Sequence, residues 1–412
     1  MLKRIPVADA CIGMFVQELC GSWMDHPFWK SRFLLDSEKD LQRLQGSAIR
    51  ELWIDTEKGL DVPGGESAAQ VAASTEARLL AAEREPAAKP QTDLGDEMGR
   101  ALKLCARSKE RLASLFAEVR SGAPLDGLQM EAQVEDIGES LSRHPHALIS
   151  LARLRAASDY HYLHALAVSA LMIALARQLG LSDELVQEAG VAGLLHDLGE
   201  ALMPAELLNS PGKLSRIDTT LLRDHPALGA ETLAKQGFSA ALVDVCLHHH
   251  EKPDGSGYPH RLQGEQIGLL AKMCAICDVY DALTSDRPYQ KGLDPAEAMR
   301  KMAEWCPAQF DDGIFRAFVK ALGIYPTGSL VRLESGRLGV VLEQHPQSLL
   351  TPKVKVFFSA KSKAPIPQEV LDLSKLVGRE RIIGREAEED WGFRNLEELW
   401  SGERKGRNTL FG

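Results

Sequence analysis

The sequence predicts a mainly α-helical protein with a small α+β module at the N-terminus and a short β appendage at the C-terminus. Three observations predict this fold class. Residues 98–326 have a helical hydrophobic pattern almost throughout. Short runs typical of strands precede this region, and after Pro326 the pattern changes to alternation.

Length and composition exclude several functional classes. The chain has 412 residues, enough for two or three domains, and a formal net charge of −10. Such a charge argues against binding to a nucleic acid polymer or to an anionic membrane. The N-terminus lacks the apolar core of a signal peptide, and the most apolar stretch, LHALAVSALMIALARQLGL, is too short to span a bilayer. Seven scattered cysteines suggest no disulfide framework. We therefore expect a cytoplasmic protein without a membrane span.

The first 97 residues divide into two parts. In residues 1–63, the runs GMFVQEL and IRELWIDT surround a helical SEKDLQRLQG, which predicts a small α+β module. Residues 64–97 are rich in Ala, Glu, Pro and Gly, which predicts a linker with at most a transient helix in STEARLLAAERE.

Residues 98–326 form the predicted helical domain. Its segment DELVQEAGVAGLLHDLGE has apolar residues at positions 185, 186, 189, 192 and 195, which predicts a helix with one buried face. In residues 327–412, GSLVRLESGRLGVVLE predicts two strands joined by a turn at 334–336, and KVKVFF predicts a third. The last residues, SGERKGRNTLFG, are expected to form a frayed tail.

Histidines are concentrated in the helical domain. Eight of the twelve fall within one hundred residues, at positions 161, 164, 196, 225, 248, 249, 250 and 260. Each alone would more often be a hydrogen-bonded structural residue. Together with Asp197 and Asp278 they form a nitrogen and oxygen ligand set that suits a first-row transition metal. Because so many ligands exceed one tetrahedral site, we predict two metal ions, which Asp197 could bridge.

Several motifs resemble those of one family. The chain contains His164, HDLG at 196–199, DHPALG around His225, HHEKPDGSGYP at 249–259 and DVYDALTSDRPY at 278–289. These motifs resemble the HD-GYP subgroup of the HD metallophosphohydrolases, and the N-terminal residues resemble a module that often precedes such domains in bacteria. The resemblance implies an HD-type helical domain that hydrolyses the second messenger cyclic di-GMP to pGpG, to GMP or to both.

The resemblance also implies a ligand set. One ion would be held by His164, His196, Asp197 and Asp278, and a second by Asp197, His225, His249 and His250. The ions would be divalent transition metals, with Fe or Mn expected and Ni, Co or Zn also acceptable. A hydroxide bridging them would attack the phosphodiester. His248 lies outside the family register and is expected to have a structural role.

Substrate contacts are implied outside this set. Arg287 and Lys291 would act on the phosphate, with Arg287 as a clamp, although an arginine in this position could equally cap a helix. Tyr258 and Gly257 belong to the GYP loop, which would border the substrate, although Tyr258 could instead pack under the loop. The same loop could contact GGDEF-domain signalling proteins, and the chain could form a homodimer.

Two positions depart from the family pattern. Residue 200 is Glu where the family usually has Lys, which adds repulsion for phosphate unless Glu200 binds a metal or another cation. Tyr160 replaces a Glu that helps to hold a third metal in some relatives, so a binuclear site is expected. The alternatives are a catalytically weak module that binds cyclic di-GMP or partner proteins, and an HD hydrolase of other nucleotides.

Overall fold

The computed structural model describes residues 1–21, 26–28, 30, 32–80, 92, 94–153, 160–204, 216–286, 291–345, 347–393 and 396–401. Within these ranges a helical domain is flanked in sequence by two five-stranded antiparallel sheets. The predicted fold class, mainly α with a small module at each end, is confirmed.

The N-terminal module is built on the first sheet. Its strands are β1 (Leu2–Pro6), β2 (Phe15–Leu19), β3 (Phe33–Leu34), β4 (Glu51–Asp55) and β5 (Glu66–Ser67), in the spatial order β3-β2-β4-β1-β5. Helix α1 (Glu38–Gln45) begins where the Ser37 side chain accepts a hydrogen bond from the Asp40 N–H. Side chains along β4 point alternately to the two faces of the sheet, and Leu52 and Ile54 therefore point into a small apolar core.

The range predicted as a linker, 64–97, contains ordered structure in its described part. Besides β5 it holds helix α2 (Ala68–Leu80) and the start of the next helix at Leu94, whereas residues 81–91 and 93 lie outside the described ranges. Val71, Thr75 and Leu79 repeat every four residues and are all buried, so this Ala-rich helix has one packed face. The linker expectation therefore differs from the structure because three buried side chains are enough to dock the helix.

Arginines join this N-terminal part to the helical domain. Arg78 on α2 donates to the carbonyls of Ala303 and Cys306, and Arg4 on β1 donates to the Glu304 carbonyl at 3.2 Å. These carbonyls belong to the end of a helix, Pro295–Trp305, where the backbone has no helical partners left.

Eleven helices of the helical domain lie in the described ranges, and the first ten begin before residue 300. They are α3 (Leu94–Ser121), α4 (Gly127–Arg143), α5 (Ala147–Arg153), α6 (Tyr160–Gln178), α7 (Asp183–Leu195), α8 (Arg216–Leu222), α9 (His225–Lys235), α10 (Ala240–His248), α11 (Leu269–Thr284) and α12 (Pro295–Trp305). An eleventh, α13 (Asp312–Leu322), ends the domain. Helix α6 is central and buried on nearly all sides, which explains its uniform apolarity. Among the described residues, no helix combines the length and apolarity needed to cross a membrane.

Two close approaches bring the helices around α6 together. A Cβ atom at Gly193 on α7 would lie 2.6 Å from the Ser169 Cα on α6. A Cβ atom at Gly199, in the 3-10 helix Leu198–Leu202, would lie 1.9 Å from the His225 carbonyl oxygen. Glycine at 199 therefore allows the segment after α7 to touch the N-terminus of α9.

The C-terminal appendage is the second sheet. Its strands are β6 (Leu330–Leu333), β7 (Arg337–His345), β8 (Ser348–Ser359), β9 (Ala364–Asp372) and β10 (Ile382–Arg385), in the order β10-β6-β7-β8-β9. Short helices α14 (Glu388–Trp391) and α15 (Glu397–Ser401) follow. The predicted hairpin and third strand are confirmed, with Gly336 at a φ of 84° in the turn. The expected tail lies outside the described residues from 402 onward.

We expect Gly199→Ala to destabilise the protein by about 3 kcal/mol, because the new methyl group would overlap the His225 carbonyl and overpack a tight contact. Denaturant unfolding measures this difference. Gly99→Ala is the matched control, since it lies within α3 with no atom within 4 Å of an added Cβ. There alanine should be neutral or stabilising by up to about 1 kcal/mol. Equal stability of both variants would contradict the prediction.

Candidate metal centre

All seven side chains predicted as metal ligands lie together in the helical domain. They come from α6 (His164), the end of α7 (His196 and Asp197), the first turn of α9 (His225), the end of α10 (His249 and His250) and α11 (Asp278). Two groups have donor atoms within 4.8 Å of one another, the first being His164, His196 and Asp278, and the second Asp197, His225, His249 and His250.

Asp197 connects the two groups through its two carboxylate oxygens. Its Oδ2 lies 3.4 Å from His164 Nε2 and 3.2 Å from His196 Nε2. Its Oδ1 lies 3.2 Å from His225 Nε2 and 3.3 Å from His249 Nε2. Each oxygen therefore faces a different set of imidazoles, an arrangement suited to bridging two cations.

Hydrogen bonds at Nδ1 orient four of the imidazoles. His196, His225 and His249 have Nδ1 at 2.9, 2.6 and 2.9 Å from the carbonyls of Gly193, Leu222 and Cys246. A carbonyl can only accept, so in these rings Nδ1 carries the hydrogen and Nε2 can offer its lone pair to the cluster. His164 Nδ1 lies 2.6 Å from Asp281 Oδ2, which is buried one turn from Asp278. Asp281 thus supports a predicted ligand, as expected.

The buried Nε2 atoms fit a cation. His225 Nε2 and His249 Nε2 are only 3.3 Å apart, so two lone pairs would face each other unless a proton or a metal ion lay between them. His196 Nε2 is fully buried and makes no hydrogen bond of acceptable geometry to any residue that the structure describes. Its contact with Asp197 Oδ2 at 3.2 Å is electrostatic, and a buried nitrogen without a well-formed hydrogen bond is costly unless a cation satisfies it. The donor set therefore fits divalent transition metals.

Electrostatics prepare most of these groups for metal binding. Burial alone would raise the pKa of Asp197, but the surrounding imidazoles hold it well below its usual range, so the group is a carboxylate. Burial lowers the pKa of His249, and burial together with His249 lowers that of His250 still further. Both rings are therefore neutral, as a metal ligand must be.

The histidine triplet divides after its first member. Helix α10 ends at His248, whose ring lies 2.8 Å from Asp244 and 2.9 Å from His260. His249 caps this helix and is the last residue there with a helical backbone hydrogen bond, to the Val245 carbonyl, and His250 follows it. His249 and His250 therefore lie in the cluster of donor atoms, whereas His248 faces away from it.

An aromatic stack lies beside the second group. The His250 ring stacks on Tyr258 of the GYP loop, with ring centroids 4.8 Å apart and an interplanar angle of 27°. The Arg223 guanidinium lies 5.0 Å from the centroid of the Tyr258 ring. Sequence reasoning missed Arg223, and its signal was a position only two residues before His225 in LLRDHPALG.

The GYP loop is held by a buried acid. Both oxygens of Glu251 accept backbone hydrogen bonds, from the His260 N–H at 2.6 Å and the Leu262 N–H at 3.0 Å. A Cβ atom at Gly257 would lie 2.5 Å from the Glu251 Cα, so only glycine allows the loop to fold back this closely. Glu251, also missed by sequence reasoning, fixes the loop against His250.

Of the two predicted phosphate contacts, Arg287 and Lys291, the structure describes Lys291. Lys291 is exposed, and its ammonium lies 3.2 Å from Glu388 of α14. Arg287 lies outside the described residues. Glu200, expected to repel phosphate unless it bound a cation, lies 2.7 Å from His161 and so has a cationic partner when that ring is protonated.

Comparisons with known proteins agree with the motifs. Residues 2–129 match a domain of unknown function (DUF3391), and residues 137–313 match the HD domain. A cyclic di-GMP phosphodiesterase of Pseudomonas aeruginosa is 56% identical over 413 aligned residues, which cover 100% of this chain and 98% of that protein. The chain belongs to the HD-GYP family.

Other similar proteins match shorter parts of the chain. A 3′3′-cGAMP-specific phosphodiesterase of Vibrio cholerae is 34% identical over 166 residues, which cover 40% of this chain and 38% of that protein. A solved HD-GYP-type structure from Bdellovibrio bacteriovorus covers 78% of this chain and 98% of its own, with 19% identity and a TM-score of 0.45.

We expect His249→Ala to lower the bound metal content strongly, because it removes an Nε2 atom that faces Asp197 Oδ1. His248→Ala should leave the metal content close to wild type, because its ring faces Asp244 and His260. Elemental analysis of metal-loaded, desalted protein distinguishes the two. An equal loss in both variants would show that the ligand register is wrong.

Proposed function

We propose that this protein is a metal-dependent phosphodiesterase that hydrolyses cyclic di-GMP to pGpG, to GMP or to both. The observation that carries the proposal is the Asp197 carboxylate, 14% exposed, whose two oxygens face two separate groups of imidazole nitrogens. The 56% identical Pseudomonas relative, a cyclic di-GMP phosphodiesterase aligned along nearly its full length, supports the choice of substrate.

The proposed site holds two divalent transition metal ions, with Fe or Mn expected and Ni, Co or Zn also compatible with the ligands. His164, His196 and Asp278 would hold one ion, His225, His249 and His250 the other, and Asp197 would contact both. When bound, two such ions lower the pKa of a shared water and neutralise charge on the phosphoryl oxygens.

Protein side chains would position the dinucleotide around this centre. Tyr258 offers an aromatic face beside His250, and Arg223 adds a guanidinium above that ring. A guanine base could stack there, and Arg223 could then reach a phosphate. Gly257, Arg287 and Lys291 would complete the proposed substrate site, with Arg287 and Lys291 contacting the phosphate.

The GYP loop is also the proposed surface for GGDEF-domain partners. Its residues 259–261 are exposed, while Glu251 holds the loop in shape from within. A rigid exposed loop is suited to recognition because little conformational freedom is lost on binding. A homodimer also stays a prediction.

We expect Asp197→Asn to reduce cyclic di-GMP turnover by more than about 100-fold and to deplete bound metal, since the amide removes the charge that faces both groups. Chromatography of the products with cyclic di-GMP and 3′3′-cGAMP in competition measures rate and substrate choice together. Asp244→Asn, a carboxylate paired with His248 outside the cluster, is the control. If the wild type cleaved 3′3′-cGAMP in preference, cyclic di-GMP would not be the preferred substrate, and that part of the proposal would be wrong.

Metal affinity should fall as the pH is lowered below about 8. Burial lowers the pKa of His225, but Asp197 outweighs it and raises the pKa to about 8. Below this value the ring holds a proton that a metal must displace, which costs up to about tenfold in affinity per pH unit. Calorimetric titration with Mn²⁺ between pH 6.5 and 9 measures the slope. If the affinity for Mn²⁺ did not change over that pH range, the proposed role of His225 would be contradicted.

A further inference from the structure

A second histidine–carboxylate pair lies at the edge of the proposed metal centre. His161 is one turn before His164 on α6, and Glu200 is one turn after Asp197 in the 3-10 helix Leu198–Leu202. The same two elements therefore carry both this pair and two of the proposed ligands. Residues three apart on a helix lie on the same face, so the pair borders the reacting centre.

The pair has the geometry of an oriented imidazole. His161 Nδ1 lies 2.7 Å from Glu200 Oε2, which fixes the ring plane. The side chains of His161 and Glu200 are 26% and 19% exposed, whereas those of His164, His196, His225 and His249 are at most 4% exposed. Four of the proposed ligands are thus enclosed, whereas Asp197, Asp278 and His250 are 12–17% exposed, and the pair stays accessible to a bound molecule.

The charges around His161 favour its protonated form. Burial lowers the pKa of His161, but the adjacent Glu200 carboxylate outweighs it and the net shift is upward. Asp197 acts in the same direction, and His164 opposes it. A carboxylate that orients a histidine and stabilises its imidazolium is a recurrent device in acid–base catalysis.

We propose that His161, oriented by Glu200, is the general acid that protonates the leaving ribose oxygen of the cleaved phosphodiester. This inference rests on the proposed function and deepens it. Glu200 is then a positioning residue, and its charge is balanced in an imidazolium–carboxylate pair instead of repelling the substrate.

The step balances in atoms and charge. A water oxygen forms the new bond to phosphorus and releases a proton to solvent, and the bond from phosphorus to the leaving ribose oxygen breaks with its electron pair on that oxygen. The leaving oxygen takes the proton from His161 Nε2, while the other hydrogen stays on His161 Nδ1, which donates it in a hydrogen bond to Glu200. The neutral His161 then regains a proton from solvent.

Two phosphodiesters with different leaving groups test the proposal. A ribose alkoxide needs a proton as it leaves, whereas nitrophenolate is stable without one. We expect His161→Ala to lower kcat for cyclic di-GMP by about 10²- to 10⁴-fold, as for loss of a general acid. With bis(p-nitrophenyl) phosphate the loss should be only a few-fold, and metal stoichiometry should match the wild type. His248→Ala is the matched control, with both activities retained.

Glu200→Gln tests the positioning role separately. The amide keeps the size of the side chain but removes its charge, so the imidazolium should lose its proton at lower pH. We expect the basic limb of the kcat profile with cyclic di-GMP to move down in pH, and the titration of His161 followed by histidine NMR in the metal-free protein to move in the same direction. Glu200→Asp should recover part of the shift.

Three results would overturn the assignment. The first is an equal loss of kcat on both phosphodiesters in His161→Ala. The second is a pH profile and a His161 NMR titration that do not change in Glu200→Gln. The third is the loss of one equivalent of bound metal in His161→Ala, which would make the pair metal ligands. A wild-type protein that does not cleave cyclic di-GMP would instead overturn the proposed function, and with it the ribose leaving group on which the acid acts.

Discussion

The pairing of the partly buried Asp197 carboxylate with the imidazoles around it is the interaction on which the site depends. Its oxygens contact nitrogens from α6, α9 and the segment after α10, as well as from its own neighbour His196. A buried anion is unfavourable unless opposite charge surrounds it. The helices can approach closely enough only because residues such as Gly193 and Gly199 leave no side chain between them.

Acidic residues outside the proposed ligand set support this arrangement at separate points. Asp281 orients His164, Glu251 ties the GYP loop, and Glu200 holds His161. In a chain of net charge −10, carboxylates near a phosphate site would be expected to repel the substrate. Here each one is engaged by an imidazole or by backbone N–H groups, so its charge orients neighbouring groups.

The sequence predicts the helical domain and the second sheet well because these depend on local periodicity, and motifs with fixed spacing single out the seven side chains that the structure brings together. The split between His248 and His249 also follows from the motif register. Helix α2 was missed because its Ala-rich composition hides a stripe of three buried residues. The contact of Arg223 with Tyr258, and that of His161 with Glu200, join residues 35 and 39 positions apart, and no local pattern encodes such pairings.

Two arginines near the N-terminus, on β1 and on α2, supply hydrogen bonds that the helical domain does not make by itself. Arg4 and Arg78 supply N–H groups to carbonyls at the end of α12, which the helix itself leaves unbonded. A truncated protein that begins after residue 93 would expose these carbonyl oxygens to solvent, together with the apolar surface that Leu79 covers. The two parts should consequently melt in one cooperative transition, and an isolated C-terminal fragment would be a poor substitute for the intact enzyme.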